Sequence, residues 1–154
     1  MSPTTLKSIH ILAVTLFIGN IIVSAFWKSF ADRTRDVNVI RYATRLVILT
    51  DVFFTAGGIA LLVATGHAMA PAYGGVVGAN WIRWSYLLLM GSGLIWLLVL
   101  LPVQLAQARI LKPLASRDDI PKRYWKLAAL WTVGGIPATI LPLPAIYLMT
   151  AKPI

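Results

Sequence analysis

The sequence predicts an all-α integral membrane protein: an antiparallel four-helix bundle, one transmembrane domain over residues 1–154, with both termini outside. Three observations lead there. The chain contains four apolar spans, and a helix needs about 20 apolar residues to cross a bilayer core of about 30 Å. Hydrophobic residues make up 58% of the chain and charged residues 12%, too little charge to coat a soluble bundle. Eleven of the 14 Lys and Arg residues fall in two segments, 28–45 and 109–126. The positive-inside rule makes those segments cytoplasmic.

The first span, Ile9 to Trp27, carries no formal charge with His10 neutral and predicts a helix over about 5–28. It is read as retained rather than cleaved. Lys7 is its single early charge, the apolar run is too long for a signal peptide, and no A-x-A-like site follows. Leu46 to Gly66 has one charge, Asp51, and predicts a helix over 41–67. The Gly-rich stretch Ala68–Asn80, with Pro71 and Tyr73, reads as an outer loop. Trp84 to Ala108 has no charge and predicts a helix over 81–110. Asp118, Asp119 and Pro121 read as the turn into a fourth helix over 123–150. Pro137, Pro142 and Pro144 should kink that helix and free carbonyls. Gly91, Gly93, Gly134 and Gly135 suggest close helix contact.

Several chemistries are excluded. There is no Cys and no Glu, so disulfides, thiolate metal sites and glutamate pairs are absent. No phosphate loop or Ser-His-Asp order supports a kinase or hydrolase. The net charge of +9 sits in loops flanking the spans. It reads as an orientation and lipid-headgroup signal rather than a nucleic-acid face.

Polar residues inside the spans are the functional candidates, because each costs free energy unless paired or ligated. His10 lies about a turn into the first helix. On a helical wheel Ala13, Phe17, Asn20, Ser24 and Lys28 share its side, so this stripe should face the bundle. Neutral imidazole is a common metal ligand, and Ala13 and Phe17 would leave an apolar wall for a flat macrocycle. The competing reading is a histidine bonded to a neighbouring helix. His67 ends the second helix beside the start of the first, so the two could ligate one haem iron. On an ideal helix His67 points about 160° from Asp51, so facing inward needs a break, which Gly66 could supply. Lys7, Arg83 and Lys152 are the three basic residues outside the basic segments, candidates for haem propionates. Asp51 is expected to pair with Lys28, with a proton relay as the other reading. Gln104 and Gln107 should satisfy backbone groups or each other. Trp96 reads as packing.

The run Leu6-Lys7-Ser8-Ile9-His10-Ile11 followed by Gly19, the pair Trp81-Ile82 and the ending Lys152-Pro153 resemble HemJ-type protoporphyrinogen IX oxidases. These are four-helix bacterial membrane proteins. That resemblance implies haem b within the bundle, with His10 as a ligand. Ser85 stands where that motif has a lysine. Over nearly the whole chain, His10, Gly19-Asn20, Ala31-Asp32-Arg33-Thr34, Asp51, Pro102 with Gln104 and Lys152-Pro153 resemble a bacterial family of integral membrane proteins, DUF2269. The resemblances imply a multi-pass protein of the bacterial inner membrane.

Two functions compete. One is a b-haem protein near the outer leaflet, with an electron-transfer or small-substrate oxidation role. Its metal ligands would be His10 and His67, its cofactor contacts Lys7, Phe17, Asn20 and Arg83, and it would work with a redox partner or as a homo-oligomer. The other is a cofactor-free bundle acting as an assembly factor, a subunit or a small transporter. Copper transport is a lesser alternative, with Met69 near His67 the one well-placed soft ligand.

Overall fold

The fold begins with a capped helix start. In a computed structural model describing residues 1–116 and 119–153, the Ser2 hydroxyl accepts from the Thr5 amide, and Pro3 takes the first helical position. Such a cap satisfies a backbone donor that the helix leaves free. Four long apolar helices follow: α1 (Pro3–Thr34), α2 (Val37–Tyr73), α3 (Asn80–Leu111) and α4 (Lys122–Ala151). Arg117 and Asp118, expected in the last basic loop and its turn, lie outside the described residues.

Helices α1 and α2 run closer to each other in sequence than the expected ends, 28 and 41. Arg35 adopts a left-handed backbone (φ 54°) that stops α1. Asp36 then caps α2, accepting from the amides of Asn38 (2.7 Å) and Val39 (3.2 Å). Two residues therefore make the whole turn. At the far end α2 tightens into a 3-10 turn over Ala70–Tyr73, and a short helical turn at Gly75–Gly78 leads to α3. At its basic end α3 is closed by Arg41 of α2, whose guanidinium donates to the carbonyls of Leu111 and Leu114. Cations suit helix C-termini.

Cross-helix contacts give the packing direction. His10 and Asn20 of α1 meet Thr65 and Thr55 of α2. Asp51 and Arg41 of α2 meet Gln104 and Leu111 of α3, and Ser92 and Leu100 of α3 meet Ala138 and Gly134 of α4. In each pair one number falls as the other rises, so sequential helices run in opposite directions. Among the glycines, the tightest approach is at Gly58, where an added Cβ would lie 3.0 Å from the Phe17 Cβ of α1.

The interior is unusually polar and the outside apolar. Asn20, Lys28, Asp51, Gln104 and Gln107 are buried, whereas Phe53, Leu98, Val133 and Tyr147 are each about two-thirds exposed. Water would reverse that arrangement; a lipid surround favours it.

The expected break in α4 is present. Its helix is interrupted at Leu141, before Pro142. Pro142 has no N–H for the carbonyl four residues back, which is Ala138, and the Ser92 hydroxyl donates to that oxygen at 2.6 Å. Ser92→Ala should therefore orphan a buried carbonyl and cost about 1–2 kcal/mol. Thermal unfolding in detergent checks this, and Ser92→Thr should keep most of the stability.

Candidate functional site

Asp51 sits near the middle of the bundle. It starts a π-helical stretch of α2, Asp51–Ala56. Trp96 starts another in α3, Trp96–Leu100. The two stretches face each other, with the Trp96 indole N–H donating to Asp51 Oδ2 at 3.0 Å. Such widened turns concentrate at functional sites.

Four donors surround the carboxyl group. Oδ1 accepts from Asn20 Nδ2 (2.9 Å) and the Thr55 hydroxyl (3.0 Å). Oδ2 accepts from Trp96 and from Gln104 Nε2 (2.8 Å). Asn20 also donates to Thr55 Oγ1, and its carbonyl accepts from Ser24 at 3.3 Å. The group accepts in all four contacts, which fills the lone-pair sites of a carboxylate. Every donor is neutral.

One wall of a cavity of about 320 Å³ is formed by this cluster. Asp51, Trp96 and Gln104 line one side; Trp131, Gly135 and Thr139 of α4 line another. Phe17, Ile21, Leu100 and Ile136 make the remainder largely apolar. Two residues of this lining, Gln104 and Trp131, each carry a buried polar atom without a hydrogen-bond partner, Oε1 and Nε1. The α4 segment beside the cavity is the one broken by Pro142.

The Lys28–Asp51 pair expected from the sequence is not formed. Lys28 Nζ bonds both oxygens of Asp32 at 2.7 Å and the Tyr124 hydroxyl at 2.5 Å. Asn20, not Lys28, is level with Asp51, and eight residues of helix put Lys28 about 12 Å further toward the basic end. Lys28→Met and Asp51→Asn should therefore act additively on stability, whereas Lys28→Met and Asp32→Asn should couple; a double-mutant cycle measures both. The glutamines also differ from expectation. Gln104 serves Asp51, and neither side-chain polar atom of buried Gln107 has a partner.

His10 is half-buried where α1, α2 and α3 meet, with its ring beside Gly66 and the Tyr86 hydroxyl nearby. Its Nδ1 lies 2.8 Å from Thr65 Oγ1, and that hydroxyl spends its one proton on the Leu61 carbonyl at 2.6 Å. Thr65 must then accept, so Nδ1 carries a proton, and on the neutral ring Nε2 keeps its lone pair. His67 does not join it. The helix continues past Gly66 to Met69 without the expected break, and His67, two residues after Thr65, is exposed. Phe17 lines the Asp51 cavity, and Asn20 bonds Asp51 from α1. Lys7 is exposed, and exposed Arg83 bonds Asn80 on its own helix at 2.8 Å. Lys152 lies over the Tyr73 ring. No group of three or more metal-binding side chains exists among the described residues.

Sequence reasoning missed Trp96, whose depth suggested packing; an indole N–H at the level of a lone Asp was the available signal.

Fold and site together define a polytopic four-helix integral membrane protein with a buried carboxylate centre. The chain belongs to the DUF2269 family, described as predicted integral membrane proteins, whose model matches residues 4–153. No curated protein and no solved structure matches the chain, and the HemJ-type resemblance gains no support from these comparisons. Ser85, at the position of the oxidase lysine, is buried and donates to the Trp81 carbonyl.

Proposed function

We propose that the chain is a cofactor-free carrier bundle of the bacterial inner membrane, with both termini outside, that binds a small molecule beside Asp51 near the bilayer midplane. The observation carrying this reading is the carboxylate with its complete donor shell on the wall of a cavity. An intramembrane charge is costly and is kept where it serves a pathway or a site. The proline-broken α4 supports it too, because interrupted helices line binding sites at the midplane of transporters. The chain has no cysteine, so single cysteines report without background. Thr139→Cys, on the cavity wall, should react with a small methanethiosulfonate reagent; no reaction would reject the site. By the same assay, Gly75→Cys should label from outside and Arg35→Cys should not.

A second reading has its own support. Haem b on His10, with a redox role and a redox partner, is favoured by the Thr65 hydroxyl that leaves Nε2 free, the arrangement that orients metal-bound histidines. The donor set here is one imidazole, since His67 faces away. Haem would supply one-electron chemistry; His10 would hold and orient it. Protein purified from haem-replete cells should then show a Soret band that His10→Ala abolishes, and a colourless protein would dismiss this reading.

A further inference from the structure

We propose that the cavity beside Asp51 takes a small organic ammonium ion, a protonated amine with an apolar body. The inference rests on reading that cavity as a binding site.

Charge comes first. The carboxylate's four donors are all neutral, and no Lys, Arg or His lines the cavity. Lys28, the buried cation of α1, is committed to Asp32 and Tyr124. The site therefore holds a negative charge in a medium that screens poorly, and an anionic ligand would meet like charge.

Gln104 gives the recognition. Its Nε2 donates to Asp51 Oδ2, which leaves Oε1 as the other end of a polarised amide. That oxygen is buried and has no partner in a side chain 1% exposed. It is an acceptor whose electron density the carboxylate enriches. An ammonium group carries three donors and no acceptor, so it matches this oxygen. Its N–H is needed, which favours a protonated amine over a quaternary one.

The walls exclude a bare metal ion. Hard cations require a shell of about six oxygens, charged ones foremost. Asp51 is the one carboxylate of the lining, each of its oxygens already accepts two hydrogen bonds, and the other oxygens are neutral. Trp96 and Trp131 on the lining suit an organic cation, because indole faces attract ammonium groups. Trp131 Nε1, the second unpartnered atom, offers a donor to an oxygen on the same ligand.

The test compares benzylammonium with its neutral isostere benzyl alcohol. Each is titrated into the purified full chain in nanodiscs and followed by calorimetry and tryptophan fluorescence. Gly135→Leu, which fills the cavity, is the reference for partition into lipid. Benzylammonium should bind about tenfold or more tightly than the alcohol. Asp51→Asn should abolish that preference. Gln104→Met, which keeps volume and three of the carboxylate's donors, should reduce it severalfold and stands in if Asp51→Asn fails to fold. Equal binding of the two probes would overturn the ammonium assignment and leave the site standing. Binding of neither probe, with Thr139→Cys still reactive, would overturn it likewise. Binding of neither, with Thr139→Cys inert, would remove the site itself.

Discussion

Replacing Asp51 by Ala should destabilise the bundle by about 2–4 kcal/mol. Two effects oppose each other. Removing a buried charge relieves its desolvation. Against that, four charge-assisted hydrogen bonds vanish, each worth about 1.5–3 kcal/mol. Trp96 and Gln104 would keep buried N–H groups that lose their acceptor, and Asn20 would retain Thr55 Oγ1 alone. The lost bonds outweigh the relief because their four donors come from three helices and cannot all turn toward one replacement partner. Asp51→Asn should cost less, since one oxygen still accepts while the new amide confronts donors. Unfolding of the purified protein by dodecyl sulfate in mixed micelles measures both. A loss below about 1 kcal/mol for Asp51→Ala would mean that water had replaced the carboxylate.

Gly58→Val should be at least as damaging, for a steric reason. An added Cβ at residue 58 would stand 3.0 Å from Phe17 Cβ and 3.4 Å from the Phe17 backbone. The obstructing atoms are not the far end of a flexible side chain, so α1 itself must shift. Alanine alone should cost about 1–3 kcal/mol by overpacking, and valine more. The shift would also pull Asn20, one turn from Phe17, away from Thr55, one turn from Gly58, and from Asp51, two turns from Gly58. Trimming the aromatic ring does not relieve the clash, because the contact is with Cβ. Gly58→Ala should thus cost little in a Phe17→Gly background and nearly its full amount in a Phe17→Ala background, although both Phe17 variants are themselves destabilised by the lost ring. Unfolding midpoints of the single and double variants decide it, and a small cost in the Phe17→Ala background would show that the ring, not the helix spacing, sets the limit.

The four spans were legible because lipid demands long apolar runs, and no soluble alternative does. Helix ends were less so. The charged run Lys28–Thr34 looked like a loop, but the buried Lys28–Asp32 pair and the Asp36 cap keep both helices going until only two residues separate them. Asn20, Asp51, Thr55 and Gln104 stood out as polar residues at membrane depth. Their mutual pairing did not, because a sequence supplies level along a helix but not the relative rotation of two helices. Charge complementarity therefore suggested Lys28 for Asp51, while position favoured Asn20. The helical wheel did place His67 away from Asp51; the assumption that Gly66 would interrupt the helix was the step that failed. The cavity and its two unpartnered atoms depend on side-chain packing across α3 and α4, which no local pattern encodes.

The two-residue turn at Arg35-Asp36 also bears on how the chain is made. Helices α1 and α2 leave the ribosome as one hairpin, before α3 exists, and the pair holds Asn20, Thr55 and Asp51. Both donors to Oδ1 therefore travel with the carboxylate, whereas both donors to Oδ2 arrive later on α3. Order of synthesis divides the shell of one side chain in two, so the nascent hairpin brings its awkward charge into the bilayer already half clothed.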